Sequence, residues 1–286
     1  MTELVGNLSG ALLRSWAGVL LRRFADFLRD AIRSREVILA MTRRDFASRY
    51  LGSYLGLIWA FINPLASTLV IWGVFQLGFK NGPVNGFPFI LWLAAAMFPW
   101  QFFAEGLGRA TSSVVDQSCV IKKVCFRASM LPIVAILSSL LIHLVFIVLL
   151  FGMFACYGIW PSAYALQIPY YLSAMVLMLL GISWLSSSLT VFLRDIPQVV
   201  GLLLQFGFWA TPIFWQLEQM PAGIRRVLQL NPMYYIVQGY RDSLIEHTWF
   251  WDHLDTTLYF WGFTLVCFVL GGAVFTRLRP HFADVL

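Results

Sequence analysis

Apolar residues crowd into six stretches along this chain, with polar residues gathered in the intervals between them. The stretches are Leu55–Phe79, Phe87–Phe103, Leu131–Tyr157, Ile168–Leu193, Pro197–Trp215 and Thr256–Thr276. A hydrocarbon layer about 30 Å thick is crossed by roughly 20 apolar residues in a helix. The pattern therefore predicts an all-α protein with six transmembrane helices, the second and fifth of them short. Ahead of the first stretch, Trp16, Leu20, Phe24, Phe27, Leu28, Ala31 and Ile32 recur at helical spacing, while Arg22, Arg23, Asp26, Arg29, Asp30 and Arg33 fill the opposite face. That alternation predicts an amphipathic helix lying in the membrane interface. A small soluble bundle is the other reading, but the segment is too short to build a core.

Between the fifth and sixth stretches lies a segment, Gln216–Asp255, too long for a simple turn. Pro221 can open one short helix there. In "LNPMYY", Asn231 sits where a cap belongs and Pro232 at the first helical position of a second helix. Two short apolar helices could re-enter the outer leaflet, where non-helical backbone needs protein or water around it. A gate or pore lining is one reading of this segment; a surface loop is the other.

Composition agrees with a membrane protein. Fifty-nine per cent of residues are hydrophobic and 12 % are charged, against about a quarter charged in soluble domains. The cysteines (Cys119, Cys125, Cys156, Cys267) are scattered without a CxxC pair, so neither a zinc site nor a disulfide framework is indicated. Placed on the six-helix topology, 16 of the 20 Lys and Arg residues fall on one side. The positive-inside bias then puts both termini in the cytoplasm. The excess basicity belongs to a membrane surface rather than to nucleic acid. Residues 1–13 lack the basic start and cleavage-like site of a secretory leader. The expected organisation is a cytoplasmic or interfacial segment over 1–50, then a transmembrane domain over 51–286. Within that domain, a cytoplasmic loop occupies about 105–128 and the outer segment about 216–255.

Catalytic signatures are missing. The sequence holds no GxxxxGK[ST] loop to cradle ATP phosphates, no HExxH and no GxSxG. His143 is the one ionisable side chain deep within a predicted span. It reads either as a proton relay or as a helix-packing hydrogen bond, and the lack of an acidic partner in another span favours the second. A secondary transporter needs charge at the midplane to bind a coupling ion. If this chain moves something, the free energy must come from outside it. The surplus of aromatic residues (12 Trp, 10 Tyr, 25 Phe) fits the usual interfacial belts. A conduit whose flat faces let sugar rings slide is the sharper reading.

Four motifs occur in order: "ILAMTRRDFASRYLGSYLGLIWAFINPL" (Ile38–Leu65), "FPWQFFAEGLGRATSSVVDQSCVIKKVCF" (Phe98–Phe126), "FLRDIPQVVGLLLQFGFWATPIFW" (Phe192–Trp215) and "LNPMYYIVQGYRDSLI" (Leu230–Ile245). Together they resemble the membrane (permease) subunit of bacterial ATP-binding-cassette polysaccharide exporters of the O-antigen and teichoic-acid type. The resemblance implies six spans, an N-terminal interfacial helix and two re-entrant helices between spans five and six. It also implies a homodimer in the bacterial inner membrane, working with two copies of a cassette ATPase. This chain would then carry no cofactor, with ATP and magnesium held by the partner, and the cargo would be a lipid-linked glycan.

Residue by residue, the resemblance places ATPase coupling on Thr111–Val124, with Asp116, Val120, Ile121, Lys122 and Lys123 as the contacts. Family members often continue there with Pro-Arg-Glu, where this chain has Arg127, Ala128 and Ser129. Arg43, Arg44 and Arg49 are candidates for a substrate pyrophosphate and hold the start of span one at the headgroups. Gly52 and Gly56 permit close helix approach, and Pro64 would shape span one. Trp215, Tyr234 and Tyr235 are candidates for an aromatic outer gate. Two other functions remain open on the residues: a drug or lipid exporter permease of the same fold, and a glycosyltransferase or ligase acting on polyprenyl-linked sugars. The enzyme would need an acid from Asp242, Glu246, Asp252 or Asp255.

Overall fold

A computed structural model describes residues 33–50, 56–118 and 127–286. The amphipathic stretch from Trp16 to Ile32, Gly52, and Val120, Ile121, Lys122 and Lys123 of the coupling segment lie outside the described residues. The described chain is helical. Helix α1 (Arg35–Tyr50) is followed by α2 (Gly56–Gly73), which continues as a π-turn over Val74–Gly78, and by α3 (Phe89–Asp116). Next come α4 (Leu131–Cys156), α5 (Ile168–Phe192) and α6 (Ile196–Ala210). The short α7 (Ala222–Gln229) and α8 (Pro232–Arg241) precede α9 (Leu254–Leu278) and a last turn, α10 (Phe282–Val285).

Five of these are long and apolar enough to cross a membrane, counting their flanking turns: Gly56–Gly78, Phe89–Asp116, Ala128–Cys156, Ala163–Phe192 and Phe250–His281. The fifth predicted span behaves differently. Pro197–Trp215 was expected to be one helix, but α6 has 15 residues, a rise of about 22 Å against the ~30 Å of hydrocarbon. It stops because Pro212 disfavours helical backbone at Thr211, which is extended (φ −89°, ψ 135°). The second predicted span deviates in the other direction. It runs past Phe103 to Asp116 and carries Glu105 and Arg109 with it. Pro99 lies inside it without ending it.

Helix α3 is the spine. From Leu91 to Ala96 its residues are between 0 % and 4 % exposed, enclosed by α4, α5, α6 and α8. The most extensive helix pair is α5 against α9. There the backbones touch: a Cβ built on Gly271 would strike the Gly181 carbonyl, and one on Gly181 would strike the backbone of Cys267 and Phe268. Lipid is as apolar as leucine, so small residues that admit such contact drive helix association in membranes. A polar seam adds to it, with Thr111 and Ser186 sharing a hydrogen bond at 2.9 Å between α3 and α5. By contrast α2, α6 and α9 turn Leu69, Val70, Leu203, Phe206, Leu258 and Leu265 outward. Helix α1 docks through Ile38 and Met41 on Met130, Ile133, Val134 and Leu137 at the start of α4.

The glycine contact yields a paired prediction. Gly271→Val has no room to form and should lower the detergent melting temperature sharply, as overpacking by about 1–3 kcal/mol does. Gly272→Ala meets only Trp184, at 4.0 Å, and should melt like the parent.

Candidate functional site

Two polar assemblies stand at opposite ends of α3. At the end that carries α1, four charged side chains interlock. Arg109 donates to Asp45 at 2.5 Å, and Arg49 donates to Glu105 at 2.5 Å while lying 3.6 Å from Asp45. Arg109 also reaches the Ala135 carbonyl and Ser139 Oγ, both at 3.2 Å. One cluster therefore ties α1, α3 and α4 together. Its members are partly shielded, each between 19 % and 36 % exposed, so they interact more strongly than fully solvated surface pairs. Arg43 and Arg44, on the same helix as Arg49, point outward and are exposed. Asp116, the described member of the predicted coupling set, is the last residue of α3.

Along α2, the lost helical hydrogen bond at Pro64 is accompanied by a second adjustment. The Pro64 carbonyl accepts from Ser67 Oγ at 2.9 Å, Thr68 Oγ1 at 2.8 Å and Gln101 Nε2 at 3.0 Å. Gln101 belongs to α3, so this carbonyl joins the two helices.

The opposite end is organised by the break after α6. A helix that stops inside an apolar environment leaves carbonyls without donors, and each must be satisfied by protein. Helix α8 supplies the donors from both of its ends. At its start, Asn231 Oδ1 caps the Met233 N–H at 3.0 Å, while Asn231 Nδ2 donates to Thr211 Oγ1 at 2.7 Å. At its finish, Arg241 donates to the Pro212 carbonyl at 2.7 Å and the Ile213 carbonyl at 2.8 Å. Its Nε–H points to the Trp92 carbonyl at 3.4 Å, and its guanidinium lies 3.5 Å from the centre of the Trp92 ring. Arg241 is 2 % exposed. Burying a cation is costly unless its donors are used. Here charge-assisted bonds to carbonyls and a ring face fill that role.

His143 is buried at 2 % exposure and shares a 2.9 Å hydrogen bond with Tyr240 of α8, with Phe102 stacked on its ring. It is a packing contact between α4 and α8. Tyr235 lies in a network rather than at an open surface. It shares a hydrogen bond with Tyr170 at 2.9 Å and accepts from Thr257 at 3.1 Å, and Trp261 donates to Tyr170 at 2.8 Å. Tyr234 and Trp215 are half-buried, and Trp215 lines a cavity.

The four outer carboxylates are dispersed in role. Asp242 is buried and accepts from Gln238 at 2.9 Å, and Asp252 caps the Trp249 N–H at 3.0 Å. Among the described residues, no three His, Cys, Asp or Glu side chains gather closely enough to hold a metal ion.

Sequence pattern alone places Arg241 only on the outer side of the topology and does not link Asp45, Glu105 and Arg109. A signal for Arg241 does exist. Met233, Val237, Tyr240 and Arg241 fall at the i, i+4, i+7 and i+8 positions of one helix face, and all are buried.

Comparison with known proteins follows the same lines. The ABC-2 type transporter family model matches residues 36–245. Two proteins of Klebsiella pneumoniae described as O-antigen export system permease protein RfbA are each 27 % identical over 252 residues, covering 88 % of this chain and 95 % of theirs. A protein of the same description from Myxococcus xanthus is 27 % identical over 222 residues, covering 77 % of this chain and 84 % of its own.

The clamp on the α6 break makes a graded prediction. Arg241→Met removes the donors to two buried carbonyls, each worth about 1–3 kcal/mol when left unsatisfied. It should depress the melting temperature most. Arg241→Lys keeps the charge but not the fork, and should fall between Met and parent. At the other end, Arg109→Asp alone should destabilise, and Asp45→Arg combined with it should recover much of the loss in the same melting assay.

Proposed function

The chain belongs to the ABC-2 type transporter family, and from that premise we propose that it is the membrane-spanning subunit of an ATP-driven exporter carrying a lipid-linked surface polysaccharide, O-antigen-like, from the cytoplasm across the bacterial inner membrane. The observation that supports this most strongly is the similarity over 88 % of the chain to permeases described as O-antigen exporters. A second support is the sequence itself, which has no phosphate-cradling loop. ATP is hydrolysed by a separate cassette subunit, two copies of which serve a homodimer of this chain.

In this reading the end bearing α1 faces the cytoplasm, as do both termini. Helix α6 with the backbone after it is the fifth crossing in chain order and completes a set of six with α9, and α7 and α8 form the re-entrant pair. Exposed Arg43 and Arg44 meet the pyrophosphate of the lipid carrier at the headgroups, while Arg49, held by Glu105, fixes the helix that presents them. The segment after Asp116, with Val120, Ile121, Lys122 and Lys123, seats in the ATPase. Its motion passes directly into α3, and through the Asp45–Arg49–Glu105–Arg109 cluster into α1 and α4. Trp215 and Tyr234 stand at the outer gate, with Tyr235 bracing it through Tyr170 and Thr257. The outward faces of α2, α6 and α9 meet lipid and the second protomer.

Deletion of the gene should leave cells without surface glycan and with polymer accumulating inside, and the parent chain supplied in trans should restore the surface. Normal surface glycan in the deletion strain would refute the export assignment. The purified chain should co-elute with a cassette ATPase. Replacing Lys122 and Lys123 by Glu should abolish that co-elution while the permease itself melts unchanged.

A further inference from the structure

We infer that Asp242 is a proton switch in the outer segment: with its carboxyl neutral it closes the turn that leads from α8 toward α9, and its ionisation opens that turn. Only the side of the membrane that Asp242 faces is taken from the exporter reading above; the switch itself goes beyond it. Asp242 directly follows α8 and is 2 % exposed. It accepts a hydrogen bond from Gln238 Nε2 at 2.9 Å. Among the described residues no cation lies within ion-pair distance of it, and the neighbouring Arg241 is committed to the Pro212 and Ile213 carbonyls. A carboxylate buried without a partner is far costlier than a neutral acid, so this site selects the protonated form. The surroundings do not reverse that choice. Glu246, on the same turn, adds a like charge. Tyr171 of α5 and Tyr234 of α8 face it as phenols, and His143 of α4 is bonded to Tyr240. Helix α3 from Phe89 to Trp100 and α5 carry no charged residue, while α9 brings Asp255 in its exposed first turn. On the α7 side Glu218 is a further negative charge, Arg225 donates to the Glu218 and Met220 carbonyls, and Arg226 is exposed. Burial, and after it the Glu246 charge, push the Asp242 carboxyl up to about 7 from an ordinary 3.8.

What Asp242 closes is an uncommon piece of backbone. Residues Asp242–Glu246 form a π-turn, a geometry frequent at functional sites. The Asp242 carbonyl accepts from the N–H groups of both His247 and Thr248, the second at 3.3 Å. His247 is left-handed (φ 55°, ψ 46°), a conformation that a residue with a side chain holds only where its surroundings impose it. The far end of the segment is tied independently. Gln167, 3 % exposed, donates to the Thr248 carbonyl and accepts from the Phe250 N–H, both at 2.8 Å. Tyr164 packs on the rings of His247 and Trp249, with centres 5.5 Å and 5.0 Å away. The strained residue thus lies between two fixed points, the Gln167 amide and Asp242, and of these two the carboxyl alone changes its charge. Once ionised, the carboxylate needs water. Unwinding the π-turn admits it and releases His247 to ordinary backbone. Arg241 immediately precedes this turn, so the unwinding also loosens the clamp on the α6 break. Acid pH holds the outer segment in the closed arrangement, and alkaline pH frees it.

The test uses the full-length chain in lipid nanodiscs, measured from about pH 5 to about pH 8.5. A buried acid raised in this way contributes stability that is complete below its ordinary value and is lost as pH rises through about 7. The melting temperature of the parent should therefore fall across that window and level off at its alkaline end. Hydrogen-exchange protection of the His247–Trp249 amides, corrected for the intrinsic rate, should fall roughly tenfold between about pH 5.5 and pH 7. Asp242→Asn, neutral at every pH, should keep the protection of the acid form and abolish both slopes. Glu246→Gln removes a like charge at an exposed position. It should melt like the parent at acid pH and move the midpoint of both curves to lower pH, and a merely structural Asp242 has no midpoint to move. Histidine side chains in general titrate in this range, so slopes that persist in Asp242→Asn belong to them and overturn the switch. A parent that is flat across the window overturns it too, as does a midpoint that Glu246→Gln leaves in place. If Asp242→Asn fails to fold, the Glu246→Gln midpoint decides alone. Both measurements need only this chain. A deletion strain with normal surface glycan would sink the exporter and leave the switch standing.

Discussion

A helix broken among buried residues exposes backbone carbonyls that apolar surroundings cannot solvate, and the far half of this protein is arranged around meeting that demand. The break begins locally, since Pro212 disfavours helical backbone at Thr211, which is extended, whereas Pro64 and Pro99 are carried inside their helices. What the tertiary structure contributes is the donors. Asn231 and Arg241, at the two ends of α8, reach Thr211, Pro212 and Ile213, so one short helix closes the break from both sides. Arg241 can be buried because its donors are used, and the carbonyls can be buried because Arg241 is there. Removing either partner leaves the other in the worse position.

The same logic explains why the two ends of the protein use different interactions. Where side chains stay partly exposed, solvent moderates the cost of charge, and carboxylate–guanidinium pairs between Asp45, Arg49, Glu105 and Arg109 are tolerable. In the buried far half, Arg241 takes carbonyl oxygens and an aromatic face instead. Carbonyls carry no full charge to desolvate, so the clamp holds a non-helical turn with the guanidinium donors on backbone oxygens rather than on a carboxylate.

Much of the fold was legible in the sequence because apolar period and length are averaged over 20 or more residues. The helices α4, α5 and α9 fall within a few residues of the predicted stretches. The Asn231 cap and the Pro232 start of α8 were readable as well, being consequences of backbone chemistry within three residues. The site was less legible. Glu105 and Arg109 marked the end of a span when hydropathy alone was read, because nothing in a hydropathy window says that Asp45 and Arg49 will be waiting for them. The role of Arg241 is hidden for the same reason: its partners are carbonyls 28 and 29 positions away.

Both assemblies sit on α3, and that placement limits how motion can pass between them. Its 28 residues span about 42 Å, with Glu105 and Arg109 toward one end and Trp92 at the other. Pro99 removes one backbone hydrogen bond along the way and would ordinarily permit a bend. The residues before it, from Leu91 to Phe98, are enclosed on all sides, and close-packed interiors resist a hinge because every bend requires neighbours to move together. Helix α3 is therefore better suited to travel as a rod than to flex. On the exporter reading, a displacement imposed on the segment after Asp116 would reach Trp92 with little loss. Because Trp92 is gripped by Arg241, that displacement would arrive at α8 and at the turn closing the path in a single step. On that reading the gate would need no independent signal, since Arg241, which satisfies its buried carbonyls, is also the residue packed on Trp92 of α3.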